Sequence, residues 1–405
     1  FVLEFVLEFV FNFVSDLVCY FVLSLGINPD GKLGPPMTRH ILQISHDYNG
    51  PFVSVCRQFV DAFANDEVTT VFLRGHGTQG ITDAVGGHRV IYLEEPGENL
   101  RGIKFGQIFR LYALIQHQPF ELVIAHRYKA IYLAGIMSYF LPLPVLLGIA
   151  HEHNVFRRIT RKLFVTFWRR RYLIAGVSDS VTKNISEYCP SLIAEKRLFS
   201  LPNALPRDYE AKILTRVQAR EKLGIDEHAV VVGTIGRLVE KKSLHTLIEA
   251  FSKLESTNSI LVIVGDGPKR AFLEDLARTL GLVGRVRFLG HVSSAGLLVA
   301  AFDLFVLSSG VEEAFGIVLL EAMMAKVPVL SSDAPGPKQV LGESGRLFTT
   351  GDPIDLSKNI QTILELTPRE RDVLGEEGYQ RVQMEYTHEK FCSRLDALPL
   401  FSSSQ

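Results

Sequence analysis

Hydrophobic and polar positions alternate along this chain with two different periods. Short β-branched runs recur in the first half, at 40–45, 70–73, 89–93, 122–125, 145–150 and 173–177. Longer stretches with helical spacing lie between most of them, for instance 52–64, 105–116 and 130–140. The alternation restarts further on, with runs at 230–234, 260–264, 287–289, 304–307 and 327–330. Because strands that alternate with helices are typical of parallel sheets, the pattern predicts an α/β fold of two doubly wound, Rossmann-like domains facing a cleft.

The break between the two alternating regions lies at 200–206, where two prolines interrupt the pattern. A charged helical stretch, 208–223, follows it. We therefore expect an N-terminal domain at 37–204 and a C-terminal domain at 205–375. The remainder, 376–405, is expected to be helical, and it could either cap the second domain or cross back to the first.

The first 36 residues differ from the rest of the chain. They form a Phe-rich near-repeat that places Glu4, Glu8, Asn12 and Asp16 on one side of a helix. The repeat lacks a basic start, which argues against a signal peptide, and its carboxylates argue against a membrane span. Because the first plausible globular strand follows Met37, we expect an upstream translated segment outside the fold, with a hydrophobic anchor as the alternative.

Composition narrows the classes of function. At 405 residues the chain is long enough for two domains. Lys and Arg (43) nearly balance Asp and Glu (44), so bulk charge predicts no nucleic-acid partner. The cysteines lack the spacing of a zinc site, since they are scattered at Cys19, Cys56, Cys189 and Cys392. We therefore expect a reduced, cytoplasmic chain without a structural metal.

The loop after the first strand of the second domain combines glycines with cations. It reads GTIGRLVEKKS at 233–243, where Gly236 lets backbone amides approach a phosphate and Arg237 and Lys242 add positive charge. Taken alone, this motif is more simply interpreted as a solvated turn. Gly265 closes the next strand in a second glycine loop, which alone is a good turn before a helix.

Two glutamates mark the most informative segment of the chain. Glu321 is the only ionisable residue from 314 to 325, in a helix that is apolar on every side, so we expect it to be buried. A buried carboxylate needs a partner, which could be a hydroxyl-rich ligand, a cluster of backbone amides or an arginine. Glu313 lies in the preceding loop, and the amide of Gly316 at the helix start could face an anionic or hydroxyl-bearing ligand.

Two further strands of the second domain are predicted to end at the same edge of the sheet, the edge at the carboxyl ends of the strands. The run FLGHV ends with His291 and Val292, and the run SSG at 308–310 precedes the glutamates. Ligands of doubly wound sheets bind beyond the carboxyl ends of the strands. Consecutive strand ends therefore offer contacts for phosphate, base and hydroxyl groups.

The corresponding rim of the first domain carries Gly50 and three histidines. His126 follows the fourth strand, and His151 and His153 follow the fifth. A His-x-His pair is compatible with a metal, but no third ligand is evident and the chain contains no Asp-x-Asp. Contact with a substrate hydroxyl is the favoured interpretation, and a satisfied surface histidine is the alternative.

The segment 154–172 is basic and contains no acidic residue. Its cations are Arg157, Arg158, Arg161, Lys162, Arg169, Arg170 and Arg171. Apolar residues recur beside them at helical spacing, namely Phe156, Ile159, Leu163, Phe167 and Trp168. This arrangement suits an anionic membrane surface or a phosphorylated acceptor. The alternative is a helix whose apolar stripe belongs to the core and whose basic face is solvated.

These motifs resemble those of the family 4 retaining glycosyltransferases (glycosyl transferases group 1), which have the GT-B architecture. The second domain carries the specific ones, GRLVEKK, VGDGP, FLGHV and EEAFGIVLLEAMMAKVPVLSSD. The first domain resembles the family more weakly, through SHDYNGP, IAHRYKA, GIAHEH, AGVSDS and SLPNAL. The resemblance covers about residues 38–398.

The resemblance implies that the second domain holds a nucleotide-diphospho-sugar. Arg237 and Lys242 would stabilise the diphosphate as the glycosidic bond breaks, and Glu313 would contact the donor sugar. His151 would lie near that sugar, with His153 as the fallback. No metal or other cofactor is expected, because the cations take its place.

Other positions follow from the same resemblance. Glu321 would bind the ribose hydroxyls, and the remaining donor contacts would be Phe315, Gly316, Gly236, Gly265, His291, Val292 and Gly50. An acceptor or membrane surface is expected at His126, His153, Arg157, Arg158, Arg161, Arg169, Arg170 and Arg171. Two departures from the family pattern are Asn49 in place of the first glycine of a pair and Ser243 in place of a glycine after the motif lysine.

The expected activity is transfer of a hexosyl or N-acetylhexosaminyl group to a hydroxyl of a cell-surface glycan or lipopolysaccharide-type precursor. UDP is favoured over GDP as the donor nucleotide. The protein is expected to be cytoplasmic, with peripheral contact to the inner face of an anionic cell membrane as an option. The alternatives are a nucleotide-sugar epimerase, a glycan phosphorylase of similar shape and a non-catalytic nucleotide-sugar binding subunit.

Overall fold

The structure is a computed structural model, and it describes residues 38–48, 51–93, 105–115, 119–140, 145–254 and 258–401. The segment 1–36 and Gly50 lie outside these residues, so what the sequence predicts for them stays a prediction. Within the described ranges, every helix is too short or too polar to traverse a lipid bilayer.

The first described sheet is parallel, with strand order β3-β2-β1-β4-β5-β6-β7. Its strands are β1 His40–Ser45, β2 Glu67–Phe72, β3 Arg89–Tyr92, β4 Leu122–His126, β5 Leu146–Ala150, β6 Tyr172–Gly176 and β7 Leu198–Ser200. The helices between and around them are α1 Phe52–Ala62, α2 Gln79–Val85, α3 Phe105–Ile115, α4 Arg127–Phe140, α5 Ile159–Trp168, α6 Asp179–Tyr188 and α7 Pro190–Ala194.

The second described sheet is also parallel, with strand order β10-β9-β8-β11-β12-β13. Its strands are β8 Val230–Ile235, β9 Ser259–Val264, β10 Val286–Gly290, β11 Leu304–Leu307, β12 Val329–Ser332 and β13 Arg346–Phe348. Its helices are α8 Tyr209–Lys212, α9 Arg216–Leu223, α10 Leu244–Ser252, α11 Arg270–Thr279, α12 Ile317–Met324, α13 Pro335–Leu341, α14 Pro353–Glu365, α15 Pro368–Glu385 and α16 His388–Asp396. Two 3-10 turns, Glu240–Lys242 and Ala295–Ala301, complete it.

The predicted α/β fold of two doubly wound domains is confirmed, because in both sheets the strand order reverses direction next to the first strand. The central strands β4, β5 and β6 are buried along their whole length, as expected for strands covered by helices on both faces. In β8, Gly233 leaves room for the ring of Phe302, which a side chain at that position would overlap.

The strand ends differ from the predicted bounds in a few places. The edge strands Leu198–Ser200 and Arg346–Phe348 were not predicted, because three residues are too few to show a period. The predicted helix 208–223 is broken at Thr215, whose side chain caps α9 in a capping box with Gln218.

The last helices connect the two domains. Helix α15 is continuous across residue 375, so the predicted bound between 375 and 376 is wrong because it falls inside a helix. Helix α16 then lies against α1 of the first domain, where the rings of Phe391 and Phe59 are 5.0 Å apart. The ring of Phe401 also packs against that of Phe63 in the first domain, with centroids 6.4 Å apart. The C-terminal segment therefore crosses back to the first domain.

Candidate active site

Three glycines bring the ends of β8, β9 and β10 together. The Gly236 amide donates to the Val264 carbonyl at 2.9 Å, and the Gly265 amide donates to the Gly290 carbonyl at 2.8 Å. Gly265 has φ of +141°, and a Cβ there would overlap the Gly236 carbonyl. At this edge of the second sheet the strand ends therefore expose backbone without side chains. Only glycine allows two backbone segments to approach each other this closely.

Arg237 and Lys242 line one small recess at this rim, together with Gly236, Thr234 and Ser308. Arg237 is exposed, and no described residue forms an ion pair with its guanidinium. The Lys242 ammonium, by contrast, is 2.5 Å from Oε2 of Glu313. The recess therefore combines one cation that is free to bind an anion with one that an internal carboxylate already holds.

The Glu313 carboxylate is more buried than its position in a loop suggests, with the residue 8% exposed. The Ser309 hydroxyl donates to Oε2 at 2.9 Å beside the lysine. Burial alone would raise the pKa of Glu313, but Lys242, with smaller contributions from Lys241 and Ser309, outweighs it and holds that pKa below its usual value. Glu313 is thus an ionised, preorganised carboxylate.

Gly316, with φ of +92°, is the residue that precedes helix α12 and caps its start. The amides of Phe315 and Gly316 donate to no acceptor in the described part of the chain, as expected at a helix start without a side-chain cap. The Phe315 ring packs against Tyr386 at 5.8 Å. These amides are therefore held in place and available to an anion or a hydroxyl.

Glu321 is half-buried in α12 rather than fully enclosed. Its carboxyl lies against Gly296, where any side chain would overlap it, and it interacts with the Tyr209 hydroxyl. Burial raises the pKa of Glu321 to about 7, and Tyr209 only partly offsets this. Among the described residues, neither an arginine nor an amide cluster pairs with Glu321, although both were candidates from the sequence.

The loop after β10 borders a separate cavity of about 220 Å³. Val292 lines it, while His291 is exposed next to it. The other lining residues are Leu214, Lys222, Ser293, Ser294, Leu297 and Leu298. Gly296, which the Glu321 carboxyl contacts, lies in the chain between the lining residues Ser294 and Leu297, so Glu321 is near this cavity without lining it.

The histidines of the first domain separate into two environments. His126 is 0% exposed, so its predicted place on an acceptor or membrane surface is wrong. It is the last residue of β4, a strand buried on both sides, and its Nδ1 is 3.2 Å from Nε2 of His151. His153 instead contacts the Ser180 hydroxyl at 3.0 Å. Within the described ranges, no cluster of three His, Cys, Asp or Glu residues could hold a metal ion.

The predicted basic segment, 154–172, contains helix α5 and the residues on both sides of it, and its cations do not act as one group. Arg161 donates to the Val155 carbonyl, Arg169 pairs with Glu195 at 2.6 Å and Arg171 donates to the Ser138 carbonyl. These three cations are therefore partly used inside the protein. No described residue forms an ion pair with the remaining arginines, which are Arg157, Arg158 and Arg170.

The apolar residues of α5 are also divided. Trp168 stacks on Phe164, whose ring packs against Tyr132, and these rings face the domain. Three others, one helical turn apart, are largely exposed: Ile159 (63%), Leu163 (61%) and Phe167 (73%). The alternative that this stripe belongs to the core is therefore wrong for these three positions.

Two residues near the sites were not identified from the sequence. Gln43 bonds His126 from within β1, and its signal was one polar residue between the apolar residues of ILQI. Tyr209 reaches Glu321 from a helix about 110 positions earlier in the chain. No sequence pattern indicates such a contact.

Known proteins resemble this chain both in sequence and in fold. Residues 215–381 match the family model described as "Glycosyl transferases group 1". A lipopolysaccharide core biosynthesis glycosyltransferase, LpsE of Rhizobium meliloti, is 37% identical over 42% of this chain and 49% of its own length. N-acetyl-alpha-D-glucosaminyl L-malate synthase of Bacillus anthracis is 29% identical over 45% of this chain and 48% of its own length.

Solved structures are similar over most of the chain. A glycosyltransferase from Rickettsia africae has a TM-score of 0.76 at 16% identity, covering 91% of this chain and all of the other. HepE of Anabaena, solved in complex with UDP-glucose, has a TM-score of 0.73 at 19% identity, covering 89% of this chain and all of the other. These likenesses confirm the GT-B fold.

The two curated relatives named above each match less than half of this chain. The chain spans about half the length of the curated relatives it matches, 49% for LpsE and 48% for the malate synthase. The matched part includes the loops with Arg237, Lys242, Glu313 and Glu321. The resemblance stated from the motifs is confirmed for residues 215–381, which match the glycosyl transferases group 1 family model.

Proposed function

We propose that this protein transfers a hexosyl or N-acetylhexosaminyl group from a nucleotide-diphospho-sugar to a hydroxyl, with retention at the anomeric carbon and without a metal. The observation that carries this proposal is the recess where exposed Arg237 lies beside the buried Lys242–Glu313 pair. The free amides of Phe315 and Gly316 add hydrogen-bond donors near Glu313. Such a set suits a diphosphate next to a sugar.

The chemistry follows from where charge develops. As the bond between the anomeric carbon and the diphosphate oxygen breaks, its electron pair passes to the diphosphate; the acceptor oxygen bonds to that carbon on the same face, and its proton passes to the departing diphosphate. Arg237 and Lys242 would stabilise that leaving group, which a divalent metal stabilises in other enzymes. Glu313, ionised and fixed by Lys242 and Ser309, would accept a hydrogen bond from a hydroxyl of the transferred sugar.

The nucleotide half of the donor would lie on the other side of Glu313. The carboxyl of Glu321 has a pKa raised by burial and no ion-pair partner among the described residues, and ribose hydroxyls would supply the missing hydrogen bonds. The neighbouring cavity of about 220 Å³, lined by Val292, would take the base. UDP is our first choice, in line with the UDP-glucose complex of HepE.

The proposed acceptor is based on the name of one similar protein. The name of LpsE refers to lipopolysaccharide core biosynthesis, and we propose a cell-surface glycan or lipopolysaccharide-type precursor as the acceptor here. An epimerase would instead isomerise the donor sugar without an acceptor, and a phosphorylase would require inorganic phosphate. A binding subunit would bind donor without turnover.

A panel of UDP-, GDP- and ADP-sugars in a thermal-shift assay tests donor binding. A ligand at 100 times its dissociation constant stabilises the folded state by about 2.7 kcal/mol, so the preferred nucleotide should stand out. Transfer in the presence of EDTA, with NMR of the product anomer, tests metal independence and retention. No shift with any nucleotide sugar, or an inverted product, would overturn the proposal.

We also propose that α5 rests on an anionic membrane surface, on the inner face of the cell membrane. Ile159, Leu163 and Phe167 form an exposed apolar ridge that could enter the headgroup region. Arg157, Arg158 and Arg170 lie near it without ion-pair partners among the described residues. An apolar ridge beside free cations matches the chemistry of an anionic bilayer.

Co-sedimentation with vesicles containing phosphatidylglycerol tests this surface. Replacing Ile159, Leu163 and Phe167 by serine should abolish most of the binding. The control is Phe272→Ser, which changes a residue that is 54% exposed on the second domain. Equal loss in both variants, or equal binding to vesicles of phosphatidylcholine alone, would contradict a specific anionic surface.

A further inference from the structure

A continuous line of side chains runs through the first sheet to the cleft rim. Gln43 of β1 contacts Thr70 of β2 on one side and His126 of β4 on the other, and His126 contacts His151 after β5. Thr70, Gln43 and His126 are each 0% exposed, while His151 is half-buried at the end of β5. A buried polar chain that ends at a rim can set the chemistry of its last member.

The orientation of the Gln43 amide is fixed by a backbone carbonyl. Its Nε2 donates to the Cys56 carbonyl at 3.3 Å and to the Thr70 hydroxyl at 3.0 Å. A carbonyl oxygen can only accept, so the amide nitrogen must face it. The amide oxygen of Gln43 consequently points to Nε2 of His126, at 3.1 Å.

This orientation determines which nitrogens carry protons. Because Gln43 Oε1 can only accept, Nε2 of His126 must be the donor. In a neutral ring Nδ1 of His126 is then bare, and it accepts from the Nε2–H of His151. Both rings are neutral, since burial and the nearby Arg127 guanidinium lower the pKa of each, that of His126 to about 3.

A neutral His151 with its proton on Nε2 presents a bare Nδ1. No described residue donates a hydrogen bond to that nitrogen. The imidazole ring is further held by the edge-to-face contact with Phe52 at 5.1 Å. Nδ1 of His151 is therefore a hydrogen-bond acceptor that carries no proton, and it lies at the carboxyl edge of the first sheet.

We propose that Gln43 and His126 are positioning residues that lock His151 in one tautomer, so that its Nδ1 accepts a hydrogen bond from a hydroxyl of the transferred sugar. This inference rests on the proposed glycosyl transfer for the identity of the ligand. It adds a specificity rule, because an acceptor-only nitrogen favours a sugar that carries a hydroxyl at that position over its deoxy counterpart.

The first experiment is NMR of the ¹⁵N-histidine-labelled protein without any ligand, with His151→Gln to assign the signals. The wild type should show His151 neutral and protonated at Nε2. His126→Phe keeps an aromatic ring but removes the acceptor, so the tautomer preference of His151 should be lost. His126→Asn can present an amide oxygen near the position of Nδ1, so the preference should persist. A wild-type His151 protonated at Nδ1, or no change in His126→Phe, would overturn the inference.

The second experiment measures donor use. The value of kcat/KM for the preferred UDP-sugar should fall about tenfold in His126→Phe and recover largely in His126→Asn, as expected for one misdirected hydrogen bond. Equal losses in both variants would show a merely structural role and overturn the inference. The two proposals fail separately: without transfer from any nucleotide sugar the proposed function fails, while the NMR result on the wild type still decides the tautomer.

Discussion

The two rims of the cleft occupy equivalent places in their sheets but use opposite electrostatics. In the second domain, the carboxylate of Glu313 is buried as an ion because Lys242 is 2.5 Å away. In the first domain, His126 and His151 are neutral rings that pack against Phe59 and Phe52, and burial together with the Arg127 guanidinium lowers the pKa of each. A buried titratable group thus keeps its charge only where an opposite charge accompanies it.

The largest effect should come from breaking the ion pair between Lys242 and Glu313 in the second domain. Glu313→Ala and Lys242→Ala should each lower turnover by about 10² or more, because the groups act on charge that develops in the transition state. Steady-state assays with the preferred donor measure this. The matched control is Lys253→Ala, which removes an exposed lysine of the same domain that does not line the recess and should keep near-normal turnover. Normal turnover in either site variant would refute the site assignment.

The second test uses the pH dependence of stability at Glu321. Its pKa is raised to about 7, so the folded state holds a proton that the unfolded state loses from about pH 4.5 upward. Stability should therefore fall as pH rises between these values, by up to about 3 kcal/mol. Glu321→Gln should remove this slope. Urea unfolding of both proteins from about pH 5 to about pH 8 measures it, and parallel curves would contradict the raised pKa.

The stability that depends on the neutral histidine His126 in the first domain should change with pH in the opposite direction. The lowered pKa of His126 means that the unfolded state takes up a proton below about pH 6.5 while the folded state does not. Stability contributed by the neutral ring is full above that pH and falls as the solution is acidified, by about 2 kcal/mol at pH 5.

His126→Asn should lessen this acid dependence, and the comparison with Glu321→Gln separates the two rims. Unfolding curves of each single variant against wild type would then diverge in opposite directions across the same pH range. Divergence in the same direction would show that the two rims do not differ as described.

The smallest effect concerns a backbone feature of the charged rim. Ser243 has φ of +46°, a left-handed conformation that is strained for a residue with a Cβ. Ser243→Gly should relieve the strain and stabilise the fold by about 0.5 to 1 kcal/mol. Calorimetric Tm measures this, with Ser243→Ala as a control that should give no gain. A lower Tm in Ser243→Gly would show that the serine side chain contributes more than its backbone costs.

The fold and the charged rim were largely predictable because their signals are local. Strand and helix periods lie within short windows, and Arg237, Lys242, Glu313 and Glu321 belong to contiguous motifs. The neutral rim was not predictable in the same way. His126 was expected on a surface because nothing in its neighbours along the chain shows that Gln43, more than 80 positions away, lies beside it.

The sequence by itself determined the doubly wound domains, the glycine rim and the residue types that could hold a diphosphate, because periodicity and motif spacing are properties of neighbours along the chain. Only the tertiary structure decided that Glu313 is the more buried glutamate, that Tyr209 faces Glu321, that α5 exposes part of its apolar stripe and that His126 orients His151. Burial and proton position depend on contacts between segments far apart in sequence, which parallel sheets create when they close crossover connections.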